Sequence, residues 1–170
     1  MRYPENVSTV VDLLETKGIS WSEYQEHLPY AGYQGFYYKQ QETLRNDYVR
    51  KHNPLILFDS VVNNDTRRLQ IKSFKSFEED LNKKTLPQWM FITPNMANDG
   101  HDTGIKYAGT WLKTFLEPLL KNNYFMNDTL LVITFDENDS SRDHNSRLFF
   151  PGKDQNNADH DDSCVHLASW

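Results

Sequence analysis

Residues 88–104, QWMFITPNMANDGHDTG, join a short apolar run to a dense polar segment. The segment Gln88–Thr93, which contains this apolar run, is predicted to be a strand, and Pro94 ends it. The residues that follow are rich in Asn, Asp, His and Gly, which is the composition of a loop. From Gly104 to Leu120, apolar side chains recur with the period of a helix. Strand, polar loop and helix in this order predict one βα unit of an α/β protein.

Further strands and helices are predicted on both sides of this unit. Two more segments have helical periodicity, and three more have the apolar or alternating pattern of strands. Because strands and helices alternate, the predicted fold is α/β, with a mostly parallel sheet and flanking helices. The helices are predicted from a cap at Asn6 or Ser8 through Thr16 and from Phe74 to Leu81, and the strands at Ile19–Tyr24, Leu55–Phe58 and Thr129–Phe135.

Ionisable side chains follow two of the predicted strands directly. Parallel strands deliver their carboxyl ends to one edge of a sheet, where α/β proteins bind ligands, so these side chains would meet if the strands are neighbours. Carboxylates packed together repel unless a cation lies among them, and carboxylates with a neutral imidazole are ligands for a divalent metal ion. The imidazole could instead contact a phosphate or protonate a leaving group. The residues concerned are Asp99, His101 and Asp102 after one strand, and Asp136 and Glu137 after the next.

A purely structural interpretation stays open for both motifs. Asn-Asp-Gly is a common turn former, and acidic residues after a strand often cap the next helix. Two other histidines are predicted to be structural. His27 precedes Leu28-Pro29, and His52 precedes Asn53-Pro54 at the entrance of a predicted strand. Because strand entrances lie away from the carboxyl edge, we expect both histidines to lie outside the site.

Composition narrows the class of protein. The chain has 170 residues, which fits one domain, and a net charge of −6 without a Lys/Arg block, which gives no reason to expect nucleic acid as a partner. It has no apolar run long enough for a membrane span, and its first residues lack the apolar core of a signal peptide. The single cysteine, Cys164, cannot form an internal disulfide.

Four stretches of the chain resemble consecutive blocks of one known family. They are GISWSEYQEHLP, YVRKHNPLILFDSV, LPQWMFITPNMANDGHDTGIKYAGTWL and KNNYFMNDTLLVITFDEN. These blocks are similar to the fungal secreted acid phosphatases of the phosphoesterase family, which also contains bacterial non-haemolytic phospholipases C. The resemblance covers roughly residues 3 to 140. It implies a fold like that of alkaline phosphatase and the hydrolysis of phosphate esters.

The resemblance also implies roles for individual residues. His101 would be catalytic, Asp99, Asp102 and Asn95 would bind the phosphate-ester substrate, and Asp136 and Glu137 would bind a divalent metal ion whose identity stays open. The implied reaction passes through a phosphorylated hydroxyl nucleophile. The implied location is the cell wall or the extracellular space, although the chain shows no signal peptide.

The chain departs from the family pattern at both ends. The acid–Asn metal pair and the hydroxyl nucleophile of the family have no counterpart here, and the sequence after Asn138 diverges. We therefore expect an incomplete fold, with residues 1–140 as the central portion of a phosphoesterase domain and residues 141–170 as a diverged or poorly ordered tail. The alternative function is that of a catalytically inactive, truncated remnant that retains part of a metal or phosphate site.

Overall fold

Strands alternate with helices along the chain. A computed structural model describes residues 2–40 and 46–135, together with the backbone of 166–169. The α-helices are α1 Val10–Thr16, α2 Asp59–Val62, α3 Asp65–Arg68, α4 Phe74–Lys83, α5 Ile105–Leu120 and α6 Asn123–Met126. The strands are β1 Trp21–Gln25, β2 Tyr37–Tyr38, β3 Tyr48–Val49, β4 Ile71–Ser73, β5 Trp89–Thr93, β6 Val132–Thr134 and β7 His166–Ser169, and two 3-10 helices span Arg50–His52 and Leu55–Leu57.

Five of these strands form one sheet in the order β4-β1-β5-β7-β6. Strand β1 is parallel to both β4 and β5, whereas β7 is antiparallel to both β5 and β6. Four strands therefore run in the same direction, and β7 runs against them. This confirms the predicted α/β class, with a mostly parallel sheet and flanking helices. The two remaining strands, β2 and β3, pair as a separate antiparallel ribbon.

Alternation along β1 and β5 sends side chains to opposite faces of the sheet. Trp21 of β1 contributes to one hydrophobic cluster, which includes α1, α2 and the Leu55–Leu57 helix. Tyr24 of β1 contributes to a second cluster, which includes α4, α5 and α6. The sheet is therefore covered on both faces, and its carboxyl edge stays available for a site.

The structure confirms three predicted elements closely and shifts three others. Helices α4 and α5 and strand β5 lie where periodicity predicted them. Helix α1 begins later than expected, because Thr9 rather than Asn6 or Ser8 caps it. Strand β1 is offset towards Gln25, and all five of its residues are buried. Strand β6 is shorter than the predicted Thr129–Phe135 and only half-buried.

The predicted strand at Leu55–Phe58 is wrong. Leu55–Leu57 forms a 3-10 helix, and Pro54 enters it with helical backbone angles, φ −65° and ψ −41°. The Oδ1 of Asn53 accepts a hydrogen bond from the N–H of Ile56 at 3.2 Å, which stabilises the turn. Leu55 and Ile56 are buried as predicted, but they reach the core from a helical turn.

Two further expectations concern the C-terminal region and membranes. The expected boundary between residues 1–140 and 141–170 falls outside the described residues, although His166–Ser169 adds strand β7 to the sheet. Across the described ranges, no helix combines the length and the apolar character that crossing a membrane would require.

Candidate active site at the carboxyl edge of the sheet

The loop that follows β5 is buried and internally hydrogen-bonded. All residues from Pro94 to Gly100 are buried. The side-chain oxygen of Asn95 accepts hydrogen bonds from the N–H groups of Ala97 and Asn98, each at 2.9 Å. These two bonds fold the chain back directly after the strand. Asn95, a predicted substrate-binding residue, is thus 1% exposed and holds the loop in place.

Glu26, which directly follows β1, ties this loop to the neighbouring strand and to α5. Its carboxylate accepts hydrogen bonds from the Asn95 N–H at 2.8 Å, from the Asn98 side-chain amide at 3.0 and 2.9 Å, and from the Trp111 indole at 3.3 Å. Burial raises the pKa of Glu26, while these hydrogen bonds act in the opposite direction. Sequence reasoning missed Glu26, although it stands at a strand end just as Asp99 does.

Asp99 lies at the centre of the site and is completely buried. Its Oδ1 accepts a hydrogen bond from the His101 N–H at 2.8 Å. The intervening Gly100 has φ +96°, a left-handed conformation that glycine adopts without strain. Asp99 and Gly100 together set the turn that brings His101 to the surface.

His101 and Asp102 form the accessible part of the loop. His101 is exposed and Asp102 is partly exposed, in contrast to the buried residues that precede them. The hydroxyl of Thr103 donates to the carbonyl of Ala97 and closes the loop before α5 begins. His101 and Asp102 are therefore accessible to solvent, and the hydrogen bonds of the buried Asn95 and Asp99 hold the loop that carries them.

The expectation that His27 and His52 lie away from this edge is wrong. His27 follows the end of β1 with φ +60°, and its Nδ1 lies 3.0 Å from the side-chain amide of Asn95. The Nδ1 of His52 lies 3.4 Å from Oδ2 of Asp99. His52 was misplaced because Leu55–Leu57 is not a strand, so His52 does not stand at a strand entrance.

A polar network lies beneath the site, between β1 and β5. The side-chain amide of Gln25 donates to the Glu23 carboxyl group, to the Thr93 hydroxyl at 3.0 Å and to the His52 carbonyl at 3.3 Å. Glu23 is completely buried, and burial raises its pKa to about 8. A neutral carboxyl group and an amide thus connect the sheet to the segment that carries His52.

A groove of about 590 Å³ opens beside the loop. The loop forms one wall and the first three turns of α5 form the other. Hydroxyl, aromatic and lysine side chains line the groove, and this mixture suits a ligand with both polar and apolar parts. The lining residues are Asn98, Thr103, Lys106, Tyr107, Thr110, Trp111 and Thr114.

The predicted metal ligands Asp136 and Glu137 lie outside the described residues. Strand β6, which precedes them, ends at the same edge of the sheet as β5, since Ile92 and Ile133 both pair with Leu167 of β7. Strand β7 separates the two strands, so their ends lie about 10 Å apart rather than side by side. Within residues 2–40 and 46–135, no three His, Cys, Asp or Glu side chains are grouped so that they could hold a metal ion.

Comparison with known proteins agrees with the resemblance read from the sequence. A sequence profile of the Phosphoesterase family matches residues 2–166. A probable acid phosphatase of Kluyveromyces lactis is 66% identical over 137 residues, which are 81% of this chain and 32% of that protein. An acid phosphatase of Aspergillus fumigatus is 62% identical over 146 residues, which are 86% of this chain and 32% of the relative.

A distant relative extends the comparison to bacteria. The non-hemolytic phospholipase C of Burkholderia pseudomallei is 29% identical over 161 residues, which are 88% of this chain and 23% of that protein. No solved structure gave a significant match. The chain spans about a third of the length of the fungal relatives, 32% in both cases. Because the family profile covers nearly the whole sequence, the chain belongs to the Phosphoesterase family.

Proposed function

We propose that the protein is a phosphoric ester hydrolase of the acid phosphatase type. The observation that carries the proposal is the loop after β5, which presents His101 to solvent at the edge where α/β sheets bind ligands. The fungal relatives that share this sequence are named acid phosphatases. A phosphate ester is therefore the proposed substrate.

The proposed roles follow from exposure and hydrogen bonding. His101, which is exposed, protonates the oxygen of the leaving group. Asp102 contacts the substrate from the same turn. Asn95 and Asp99, which are buried, act on substrate binding indirectly, because their hydrogen bonds hold this loop in place. The groove beside α5 takes the organic part of the ester, since it begins at the loop itself.

A divalent metal ion is part of the proposal, with Asp136 and Glu137 as its ligands. Carboxylate oxygens suit such an ion, and when bound it would polarise a phosphoryl oxygen. The direction of β6 supports this assignment, because it sends the chain towards the carboxyl edge just before Asp136. We also propose that residues 1–140 are the central portion of the domain, and that the protein acts outside the cell or in the cell wall.

A second candidate function is phosphate binding without turnover. The chain covers 32% of the length of its fungal relatives, and the candidate is a catalytically inactive remnant of the family that retains part of a metal or phosphate site. Such a remnant would bind inorganic phosphate at the loop and hydrolyse nothing.

Hydrolysis of p-nitrophenyl phosphate by the purified chain, with divalent metal ions supplied, tests the first proposal. The informative variants are His101→Asn and Asp102→Asn, and Asp65→Asn on α3 is the matched control because Asp65 is exposed and remote from the loop. Turnover that both loop variants reduce and the control retains supports the hydrolase. If His101→Asn leaves turnover unchanged, the assigned roles are wrong. Phosphate binding without turnover supports the second candidate.

A further inference from the structure

The side chain of Asp99 has an unusual environment for a carboxyl group. It is completely buried, and Oδ2 has no hydrogen-bond partner among the described residues. A buried carboxylate oxygen left without a partner costs free energy, so proteins keep one only where something else requires it. The polar atom that faces Oδ2 is Nδ1 of His52, at 3.4 Å.

The backbone around His52 is fixed from both sides. The carbonyl of His52 accepts a hydrogen bond from the Gln25 side chain at 3.3 Å. The next residue, Asn53, is completely buried and donates to the Tyr48 hydroxyl at 3.0 Å. Two residues earlier, the Arg50 guanidinium donates to the carbonyls of Gln34 and Ile56 at 3.1 and 3.0 Å. These hydrogen bonds fix the backbone segment from which the imidazole reaches Asp99.

A carboxylate opposite Nδ1 selects the form of the imidazole. It favours the tautomer with the proton on Nδ1, which leaves Nε2 on the far side of the ring. The His52 side chain keeps 13% of its surface exposed, whereas Asp99 keeps none, so His52 is the partner that a ligand can reach. When protonated, the same ring offers an Nε2–H donor of the kind that phosphoryl oxygens accept.

Asp99 also connects His52 to the proposed catalytic histidine. Its Oδ1 accepts from the His101 N–H, and its Oδ2 faces His52. One buried carboxylate thus positions a histidine of the loop after β5 and a histidine of the 3-10 helix Arg50–His52.

We propose that His52 is a second histidine of the phosphate site and that Asp99 is its positioning residue. The inference rests on the proposed function, because it identifies His52 as a further ligand of the same phosphoryl group. Asp99 acts here through His52 and through the backbone of His101, and His52 itself contacts the anion.

The tautomer of His52 tests the positioning role of Asp99. In long-range ¹H–¹⁵N spectra of the full chain, we expect His52 to carry its proton on Nδ1, and Asp99→Asn to abolish this single tautomer. Asp102→Asn is the matched control, since it removes the same charge three residues away and should leave the tautomer unchanged. A mixture of tautomers in the unmodified chain, or no change in Asp99→Asn, overturns the positioning role.

Inorganic phosphate tests the ligand role of His52. His52→Asn keeps a donor near the position of Nδ1, opposite Asp99, and removes Nε2, so the fold should survive while phosphate affinity falls about tenfold. Lys51→Gln is the control, because it removes an exposed positive charge from the same 3-10 helix and should leave the affinity nearly unchanged. Equal affinity in His52→Asn and the unmodified chain overturns the inference, as does a phosphate titration that leaves the His52 signals unmoved.

These outcomes are separable from failure of the proposed function. If turnover depends on His101 but phosphate affinity is the same in His52→Asn and in the unmodified chain, the hydrolase proposal stands and the inference about His52 is rejected. Absent turnover, combined with phosphate affinity that depends on His52, would reject the hydrolase and keep the inference.

Discussion

Burial keeps the carboxyl group of Glu23 neutral at a pH where exposed glutamates are charged. The side chain lies inside the sheet, and burial raises its pKa from 4.5 to about 8. Since the folded-state pKa lies above the unfolded-state value, its contribution to stability is complete below about pH 4.5 and is lost as the pH rises through 8. We expect the free energy of unfolding in urea to fall by a few kcal/mol, as an order of magnitude, across this window.

The variant Glu23→Gln separates this effect from other titrations. Gln is neutral at every pH but replaces one acceptor oxygen, so the variant should lose some stability uniformly and lose the pH dependence that Glu23 contributes. Glu78→Gln on the exposed face of α4 should keep the pH dependence of the unmodified chain. An unchanged dependence in Glu23→Gln would show that Glu23 is not the titrating group.

A second residue-scale prediction concerns Asn95. Its side-chain oxygen accepts from two backbone N–H groups, those of Ala97 and Asn98, in a segment where every residue is buried. Asn95→Ala removes the acceptor of the Ala97 N–H and leaves the Asn98 N–H only its bond to the Asn95 carbonyl at 3.0 Å, so we expect a loss of about 1–3 kcal/mol in the free energy of unfolding. Asn82→Ala on the surface of α4 should change stability by less than about 0.5 kcal/mol. Equal effects of the two variants in thermal or urea denaturation would contradict the structural role of Asn95.

Sequence reasoning predicted which residues lie at the carboxyl edge of the sheet, while their roles in a site stay a prediction. The rule that parallel strands deliver their carboxyl ends to one edge placed Asp99, His101 and Asp102 there, where they lie. It missed Glu26 because the predicted strand was offset from β1 and ended at Tyr24. It misplaced His52 because the position of that residue depends on packing of the Arg50–His52 helix over β1, a long-range contact that no local pattern encodes.

At the level of single elements, periodicity predicted α4, α5 and β5 well because their patterns are long or bounded by strong breakers. It failed at Leu55–Phe58, where four apolar residues fit either a buried strand or a buried helical turn. The helical backbone of Pro54 and the hydrogen bond that the Asn53 side chain accepts from the Ile56 N–H favour the turn there. The choice between the two required the tertiary environment, since both place Leu55 and Ile56 in the core.

The start of α1 provides a test at the scale of an element, because the sequence predicted a cap at Asn6 or Ser8 and the structure has the cap at Thr9. Thr9 forms a capping box with Asp12: its hydroxyl accepts from the Val11 N–H at 3.1 Å, and its own N–H donates to the Asp12 carboxylate at 2.7 Å. Thr9→Ala should therefore cost about 1 kcal/mol of stability. Ser8→Ala should be nearly neutral because Ser8 is exposed and makes no cap in the structure. A larger loss of stability in Ser8→Ala than in Thr9→Ala, measured by urea denaturation, would support Ser8 as the cap instead of Thr9.

For the whole molecule, the arrangement of the sheet depends on its antiparallel strand. Strand β7 lies between β5 and β6 and pairs with both, through Leu167 opposite Ile92 and Ile133. The part of the sheet that carries the loop of the site is thus joined to β6 by residues from the far end of the sequence. Sequence reasoning treated β5 and β6 as potential neighbours. It did not predict β7 between them, because no local pattern indicates that a strand so far along the chain pairs there.

A chain that ends at Val165 tests this role of β7. Without His166–Ser169, β5 would expose an unpaired edge and β6 would lose its connection to the sheet. We expect amide exchange in β5 and β6 to accelerate by more than about tenfold while α1 stays protected, since α1 packs in the first hydrophobic cluster and Ile133 of β6 packs against the second. We also expect association in light scattering, because an exposed strand edge pairs with other chains. A chain that lacks only Trp170 keeps β7 and should behave like the unmodified protein. Unchanged protection of β5 and β6 in the shorter chain would show that the sheet holds together without its antiparallel strand.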